Sequence, residues 1–164
     1  MNRIISPLIE YLDAESACYE LDATKQVLHM GMEAENARWR CLACQDDAGR
    51  FVFVSLLPLH APRARRVACA ELFARINVKL GLGHFDIDFK DGELGYRTVV
   101  PVSKRGRLPR DLAEHVLHGH QIIVDRFIPA ISALLFAGLP PERALALPME
   151  QPAATTSQAR FSLN

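Results

Sequence analysis

Hydrophobic positions recur with a period of two in several segments of the first hundred residues, which predicts β-strands. The segments are residues 27–33, 38–45, 50–57, 84–90 and 94–100. Residues 50–57 are apolar on both faces, as is typical of a central, covered strand. In HFDIDFK the alternation places Phe89 on the buried face, and the Asp91-Gly92 pair after it predicts a hairpin turn. An additional short strand at residues 18–21 would precede these five.

Helical periodicity predicts three helices, one before, one between and one after these strands. They cover about residues 3–14, 62–80 and 109–137. We expect Gly81 to end the second helix in a left-handed conformation, because glycine adopts positive φ angles without strain. Pro129 has no amide proton to donate within the third helix, so a kink is expected near Asp125.

The order of these elements predicts an α+β fold. It reads α-βββ-α-ββ-α, with one antiparallel sheet of about five strands and the helices packed on it. A length of 164 residues with 49% hydrophobic and 23% charged residues fits a single domain. We expect that domain to cover residues 1–147. Residues 148–164 offer little to bury and are expected to form a flexible tail.

Charge and targeting features favour a cytoplasmic protein. Nineteen basic residues balance nineteen acidic ones, so no net charge attracts nucleic acid or an anionic membrane. No apolar run reaches the roughly 18 residues that a membrane span needs. The N-terminus contains acidic residues too early for a signal peptide. Four cysteines without an export signal indicate reduced thiols.

Two groups of residues could hold a metal, and neither forms a complete site. Cys41 and Cys44 have the CxxC spacing, but a strand places them on opposite faces. Asp111, His115 and His118 would lie on one helix face, yet they leave the coordination incomplete. No nucleophile, base and orienting residue can be paired from their spacing. We therefore expect no catalytic, metal-binding or cofactor-binding residue, and no cofactor.

Arginines mark two candidate surfaces for a protein partner. Arg38 and Arg40 lie on the face of their strand opposite Trp39. The neighbouring strand is expected to add three aliphatic side chains to this face, those of Val52, Val54 and Leu56. Such a surface would suit a segment with aliphatic anchors and acidic neighbours. The alternative is that helices cover both sheet faces and the arginines lie at the rim.

The second candidate surface is the start of the second helix. Three arginines are found there: Arg63, Arg65 and Arg66. With a further basic group at residues 104–110, they also support a second hypothesis, a nucleic-acid-associated regulator. This hypothesis is less favoured, because the net charge is zero and no aromatic residues are interleaved.

The last helix has more apolar residues than one buried face requires. Beside the sheet-facing stripe lies a second stripe, made of Leu117, Val124, Ile128 and Leu135. A helix buried on one side needs only one stripe. The second must be covered by a last turn, expected at about residues 142–147, or by another copy of the chain. We predict a homodimer with this stripe at its interface.

Several stretches resemble the YbjN-like family, sometimes called bacterial sensory transduction regulators. They are FVFVSLLP, ELFARINVKLGLG followed directly by HFDIDF, the hairpin DGELGYR, and HQIIVDRFIPAISALL. The resemblance extends over most of the chain up to about Leu139. It implies a fold similar to that of type III secretion chaperones, which are small dimeric α+β proteins that bind segments of other proteins.

The resemblance implies a non-catalytic function and carries over no catalytic residue. We expect an adaptor, a chaperone-like protein or a regulator that acts through protein contacts. The nucleic-acid-associated regulator is the alternative. A metal-dependent enzyme using Asp111, His115 and His118 is the third and least favoured hypothesis.

Overall fold

The computed structural model describes residues 4–102 and 107–150, together with the backbone of residues 160–162. The helices are α1 (Ser6–Ala14), α2 (Arg66–Asn77), α3 (Arg110–Phe136) and α4 (Pro141–Glu150), and one 3₁₀ turn (Arg63–Arg65) precedes α2. The strands are β1 (Tyr19–Asp22), β2 (Val27–Glu33), β3 (Arg38–Gln45), β4 (Phe51–His60), β5 (His84–Ile87), β6 (Glu93–Val100) and β7 (Arg160–Ser162). The predicted α+β class is confirmed, and so is the additional strand before β2.

All strands of the described chain form one antiparallel sheet. Its order is β1-β2-β3-β4-β6-β5, and β7 pairs with β2. The first four strands follow one another as a meander, because short turns connect them. α2 lies between β4 and β5 in the chain, which allows β6 to pair with β4. The six strands of this path, with β7 beside it, exceed the predicted five.

The helices pack on one face of the sheet, and the core lies between them. α3 is anchored to two neighbouring inner strands, since the ring of His120 contacts Ser55 on β4 and Thr98 on β6. α2 lies over β5, where the rings of Phe73 and Phe85 stack 5.1 Å apart. α1 and α4 pack against α3, and α4 also packs against α2.

α3 continues through Pro129 as one helix of 27 residues. The proline nitrogen cannot donate to the carbonyl of Asp125, one turn earlier. The Asn36 side chain donates to this carbonyl instead, with 3.2 Å between Nδ2 and O. The Asp125 carboxylate accepts two more hydrogen bonds from Asn36, one from its backbone amide and one from Nδ2. The turn between β2 and β3 is thereby fixed to the middle of α3.

The second apolar stripe of α3 is buried inside the single chain. The exposed fractions are 0% for Leu117, 0% for Val124, 6% for Ile128 and 5% for Leu135. The predicted dimer interface required these side chains to be exposed in one chain, and that premise is wrong. Two helices that pack on α3 account for the burial. α1 contacts α3 through the hydrogen bond between Tyr11 and His118, and α4 contacts α3 where the Arg126 side chain donates to the Pro148 carbonyl. A homodimer stays a prediction, without support from this stripe.

Two local predictions are wrong because strand β5 and helix α2 end early. β5 stops at Ile87, and the chain then turns, with the amide of Gly92 bonded to the carbonyl of Asp88 at 2.8 Å. Phe89 lies within this turn and is 54% exposed instead of buried. After α2, the glycine with a positive φ is Gly83, at 72°, and not Gly81.

The predicted boundary between domain and tail at residue 148 falls inside α4, which continues to Glu150. Residues 160–162 pair with Gly31–Glu33 of β2. The remaining tail residues lie outside the described ones, so a flexible tail stays a prediction for them.

Candidate functional site: the open face of the sheet

One face of the sheet carries no helix in the described part of the chain, and we call it the open face. Residues at every second position of β3, β4 and β6 form its centre. They are Arg40, Leu42 and Cys44 on β3, Val52, Val54 and Leu56 on β4, and Arg97 and Val99 on β6. The alternation of positions in the sequence therefore correctly predicted that the aliphatic side chains of β4 and the arginines of β3 share one face.

The centre of the open face is aliphatic and closely packed. Val54 lies between Leu42 and Arg97 in the register and is only 7% exposed. Leu42 and Leu56 are half-buried. β4 can be central because it is apolar at successive positions, so that Phe53 faces the core while its neighbours face the other side. The open face thus offers side chains that a partner could cover.

Arginines flank this aliphatic centre, and most of them are paired. Arg38 bonds Glu33 of β2 at 2.8 Å. Arg97 bonds Asp86 of β5 at 2.9 Å, and the absence of a side chain at Gly95 gives the Asp86 carboxylate its space. Arg40 is exposed beside Leu56 and has no ion pair or hydrogen-bonded side chain among the described residues. Arg40 is therefore a cation available to a partner.

A depression of about 710 Å³ lies at one end of the open face, over β1, β2 and β3. Its lining includes Glu20 and Asp22 on β1, His29 and Gly31 on β2, and Arg40 on β3. Gly31 lies directly opposite Arg40 in the register. Because glycine has no side chain, the strand backbone is accessible from the open face at this point.

The structure separates the three arginines at the start of α2. The Arg66 guanidinium donates to the carbonyls of Ala61, Phe89 and Lys90, so it holds the turn after β5 in place. Arg65 is half-buried against Gly138 at the end of α3, where a Cβ on the glycine would lie 2.9 Å from its guanidinium.

Arg63 alone among these three is exposed. Since the other two side chains make contacts within the fold, the start of α2 is a weaker candidate surface than the open face.

The candidate metal groups are not brought together. His118 is 3.1 Å from the Tyr11 hydroxyl, which occupies one ring nitrogen. Cys41 is buried in the core, whereas Cys44 lies on the open face, as the strand spacing predicted. Within the described residues, no three His, Cys, Asp or Glu side chains are grouped so that they could hold a metal ion.

A buried polar cluster was missed by the sequence analysis. His120 Nδ1 lies 2.8 Å from the Ser55 hydroxyl, and His120 Nε2 lies 3.0 Å from the Thr98 hydroxyl. Burial lowers the pKa of His120 to about 3 and raises the pKa of the nearby Cys41 thiol to about 12. Ser55 is 0% exposed and His120 1% exposed, so no substrate can reach this serine–histidine pair. It joins α3 to the sheet.

A sequence signal for this cluster does exist. Ser55 and Thr98 each occupy an inward position of a strand whose other inward residues are large and apolar. Two buried hydroxyls on neighbouring strands require a polar partner. His120 on the helix above them meets that requirement.

The family model of YbjN, described as "Putative bacterial sensory transduction regulator", matches residues 8–133. The chain belongs to the YbjN family. This confirms the resemblance inferred from the sequence. No curated protein matches the chain.

A solved structure of the YbjN family supports the fold. It is the "Crystal structure of YbjN, a putative transcription regulator from E. coli", similar with a TM-score of 0.51 and 17% sequence identity. The alignment covers 81% of this chain and 93% of that chain. At this identity the likeness extends to the fold alone. No helix in the described residues is long and apolar enough to cross a bilayer.

Proposed function

We propose that this protein is a non-catalytic regulator that acts by binding a segment of another protein on the open face of its sheet. The observation that carries the proposal is the distribution of the helices. All four pack on one face, and the described residues leave the other face, with its aliphatic centre and Arg40, without a helix. Sheet faces and edges of this kind are recurrent binding surfaces for protein segments.

The chemistry of the open face defines the partner segment. Leu42 and Leu56 are half-buried and would be covered by aliphatic side chains of the partner. Arg40 would pair with an acidic residue of the same segment. The likeness to type III secretion chaperones that the sequence resemblance implies would fit this mode of action. A cytoplasmic location belongs to the same proposal and is supported by four free cysteines.

The arrangement of the arginines argues against the nucleic-acid hypothesis. Arg66 bonds backbone carbonyls, Arg107 pairs with Glu10, and Arg110 pairs with Glu114. Phosphate binding requires cations that are free to neutralise phosphates and so displace the counterions of the nucleic acid.

Affinity capture with matched charge reversals tests the proposal. Arg40→Glu changes the open face, and Arg143→Glu changes an exposed arginine on α4, on the helical side. We expect the proteins captured by the wild type from its native cell, identified by mass spectrometry, to be lost with Arg40→Glu and kept with Arg143→Glu. Capture that survives Arg40→Glu but is lost with Arg63→Glu would contradict the proposal and assign binding to the start of α2.

A further inference from the structure

The outer edge of β2 is shared by two short strands. β1 pairs with the first part of β2, from Val27 to Met30. The chain before β1 is tied to the end of α1 by a hydrogen bond from the Ala17 amide to the Leu12 carbonyl, at 2.8 Å. β1 therefore cannot extend along the rest of β2. The chain's own C-terminal strand, β7, pairs with this remaining part, Gly31–Glu33.

An edge of this kind accepts any extended segment that can hydrogen-bond to it. Strand edges present backbone amides and carbonyls without regard to the sequence of the added strand. Specificity must come from the neighbouring side chains. Here the register places Arg160 opposite Glu33, and Ser162 opposite Gly31. An added strand therefore meets an acidic residue at one end and a glycine at the other.

The glycine connects the edge to the open face. Ser162, Gly31 and Arg40 lie in one row across three neighbouring strands. The backbone positions of Ser162 and Arg40 are about 10 Å apart, since adjacent strands are spaced by about 4.8 Å. Gly31 puts no side chain between them. An acidic residue at the position of Ser162 could thus reach the Arg40 guanidinium across Gly31.

We propose that the edge of β2 at Gly31–Glu33 is the docking site for an extended segment of the regulated partner, and that β7 occupies it in the unbound protein. This deepens the proposed function and rests on it for the identity of the partner. The favoured segment has a basic residue opposite Glu33 and an acidic residue opposite Gly31. β7 has serine at the second position, so a partner with an acidic residue there gains an ion pair with Arg40 and displaces it.

Peptides that copy β7 test the site without knowledge of the partner. The acceptor is the full chain with Phe161→Pro and Ser162→Pro, because prolines cannot donate to a strand ladder and so release the edge. Its control is the full chain with Ser157→Pro and Gln158→Pro, placed before β7. The probes are SQARFSLN, the acidic peptide SQARFDLN and the broken peptide SQARPPLN, and the readout is the amide NMR spectrum of the ¹⁵N-labelled protein.

We expect the first two peptides to shift the amides of Gly31, Met32 and Glu33 in the released acceptor, and the broken peptide to leave them unchanged. The acidic peptide should bind about two- to fivefold more tightly, as expected of an exposed ion pair, and Arg40→Glu should abolish this gain. The control protein should respond far less at equal peptide concentration, because its own β7 competes at high effective concentration.

Three results would overturn the proposal: no shift at Gly31–Glu33, equal shifts in the released and control proteins, or an acidic peptide that binds no better than SQARFSLN. None of them affects the capture experiment with Arg40→Glu, which tests the open face itself. Conversely, if the peptides dock at the edge but Arg40→Glu captures the same proteins as the wild type, the edge site stands and the proposed function is rejected.

Discussion

His120 makes the stability of the fold dependent on pH. Its ring is 1% exposed, lies between the hydroxyls of Ser55 and Thr98, and packs against the rings of Phe53 and Tyr96. Burial disfavours the charged imidazolium, so the pKa falls from 6.5 in the unfolded chain to about 3 in the folded protein. The unfolded state therefore binds a proton at mildly acidic pH that the folded state excludes.

The size of the effect follows from these two pKa values. Above pH 6.5 the histidine is neutral in both states and its contribution to stability is complete. Below that pH, unfolding takes up a proton, and the stability falls by about 1.4 kcal/mol for each pH unit until the pH approaches the folded pKa. Between pH 7 and pH 5 we expect His120 to account for a loss of about 2 kcal/mol in the free energy of unfolding.

Urea denaturation at pH 7, 6 and 5 measures this loss, with His120→Gln as the comparison. Glutamine keeps a polar side chain near both hydroxyls and does not titrate. The variant should be less stable at pH 7 by about 1–3 kcal/mol, because its geometry differs from that of the ring. Between pH 7 and pH 5 the free energy of unfolding of the variant should fall by about 2 kcal/mol less than that of the wild type. Equal pH dependence in both proteins would refute the argument that His120 is buried and neutral.

Three further predictions concern the packing of α3 and the turn after β5. Asn36→Ala should lower the free energy of unfolding by about 1–3 kcal/mol, because the carboxylate and the carbonyl of Asp125 each lose a hydrogen bond from the Asn36 side chain. In the same urea titration, Glu35→Ala at the exposed neighbouring position should have little effect. Gly92→Ala should destabilise the fold by more than about 1 kcal/mol, since φ is 89° and a Cβ would lie 2.2 Å from the Ala61 carbonyl oxygen. Thermal melts should show that Gly81→Ala is tolerated, because a Cβ there would have nothing within 4 Å. Leu117→Ala should cost about 2–5 kcal/mol at every protein concentration, and a cost that vanishes on dilution would restore the predicted dimer interface.

The sequence predicted the parts of the fold that depend on local patterns. The alternation in β2 and β3 correctly predicts which of their side chains share a face, and it therefore places Arg40 on the open face. It failed at Phe89, because alternation continues in the sequence beyond Ile87, where the strand ends and the chain turns. A repeating pattern shows which face a residue would occupy in a strand, but not where the pairing stops.

Contacts between distant segments could not be derived from periodicity. The second stripe on α3 correctly indicated burial from a second side, but the neighbour that covers it could not be chosen from the pattern. Asp125 lies 89 residues from Asn36, and Ser55 and Thr98 lie 65 and 22 residues from His120. The pairing of the arginines likewise depends on tertiary placement. The sequence cluster therefore predicts Arg66 as a binding residue, although its guanidinium bonds the carbonyls of Ala61, Phe89 and Lys90.

Site-specific photocrosslinking tests the central claim, that the partner binds on the open face. A benzoylphenylalanine at His29 would lie exposed on the open face, beside the depression over β1–β3. The same residue at Ile122, which is 56% exposed on α3, reports contacts on the helical side. In the native cell we predict a covalent adduct with the partner from position 29 and none from position 122. An adduct from position 122 alone would contradict the account.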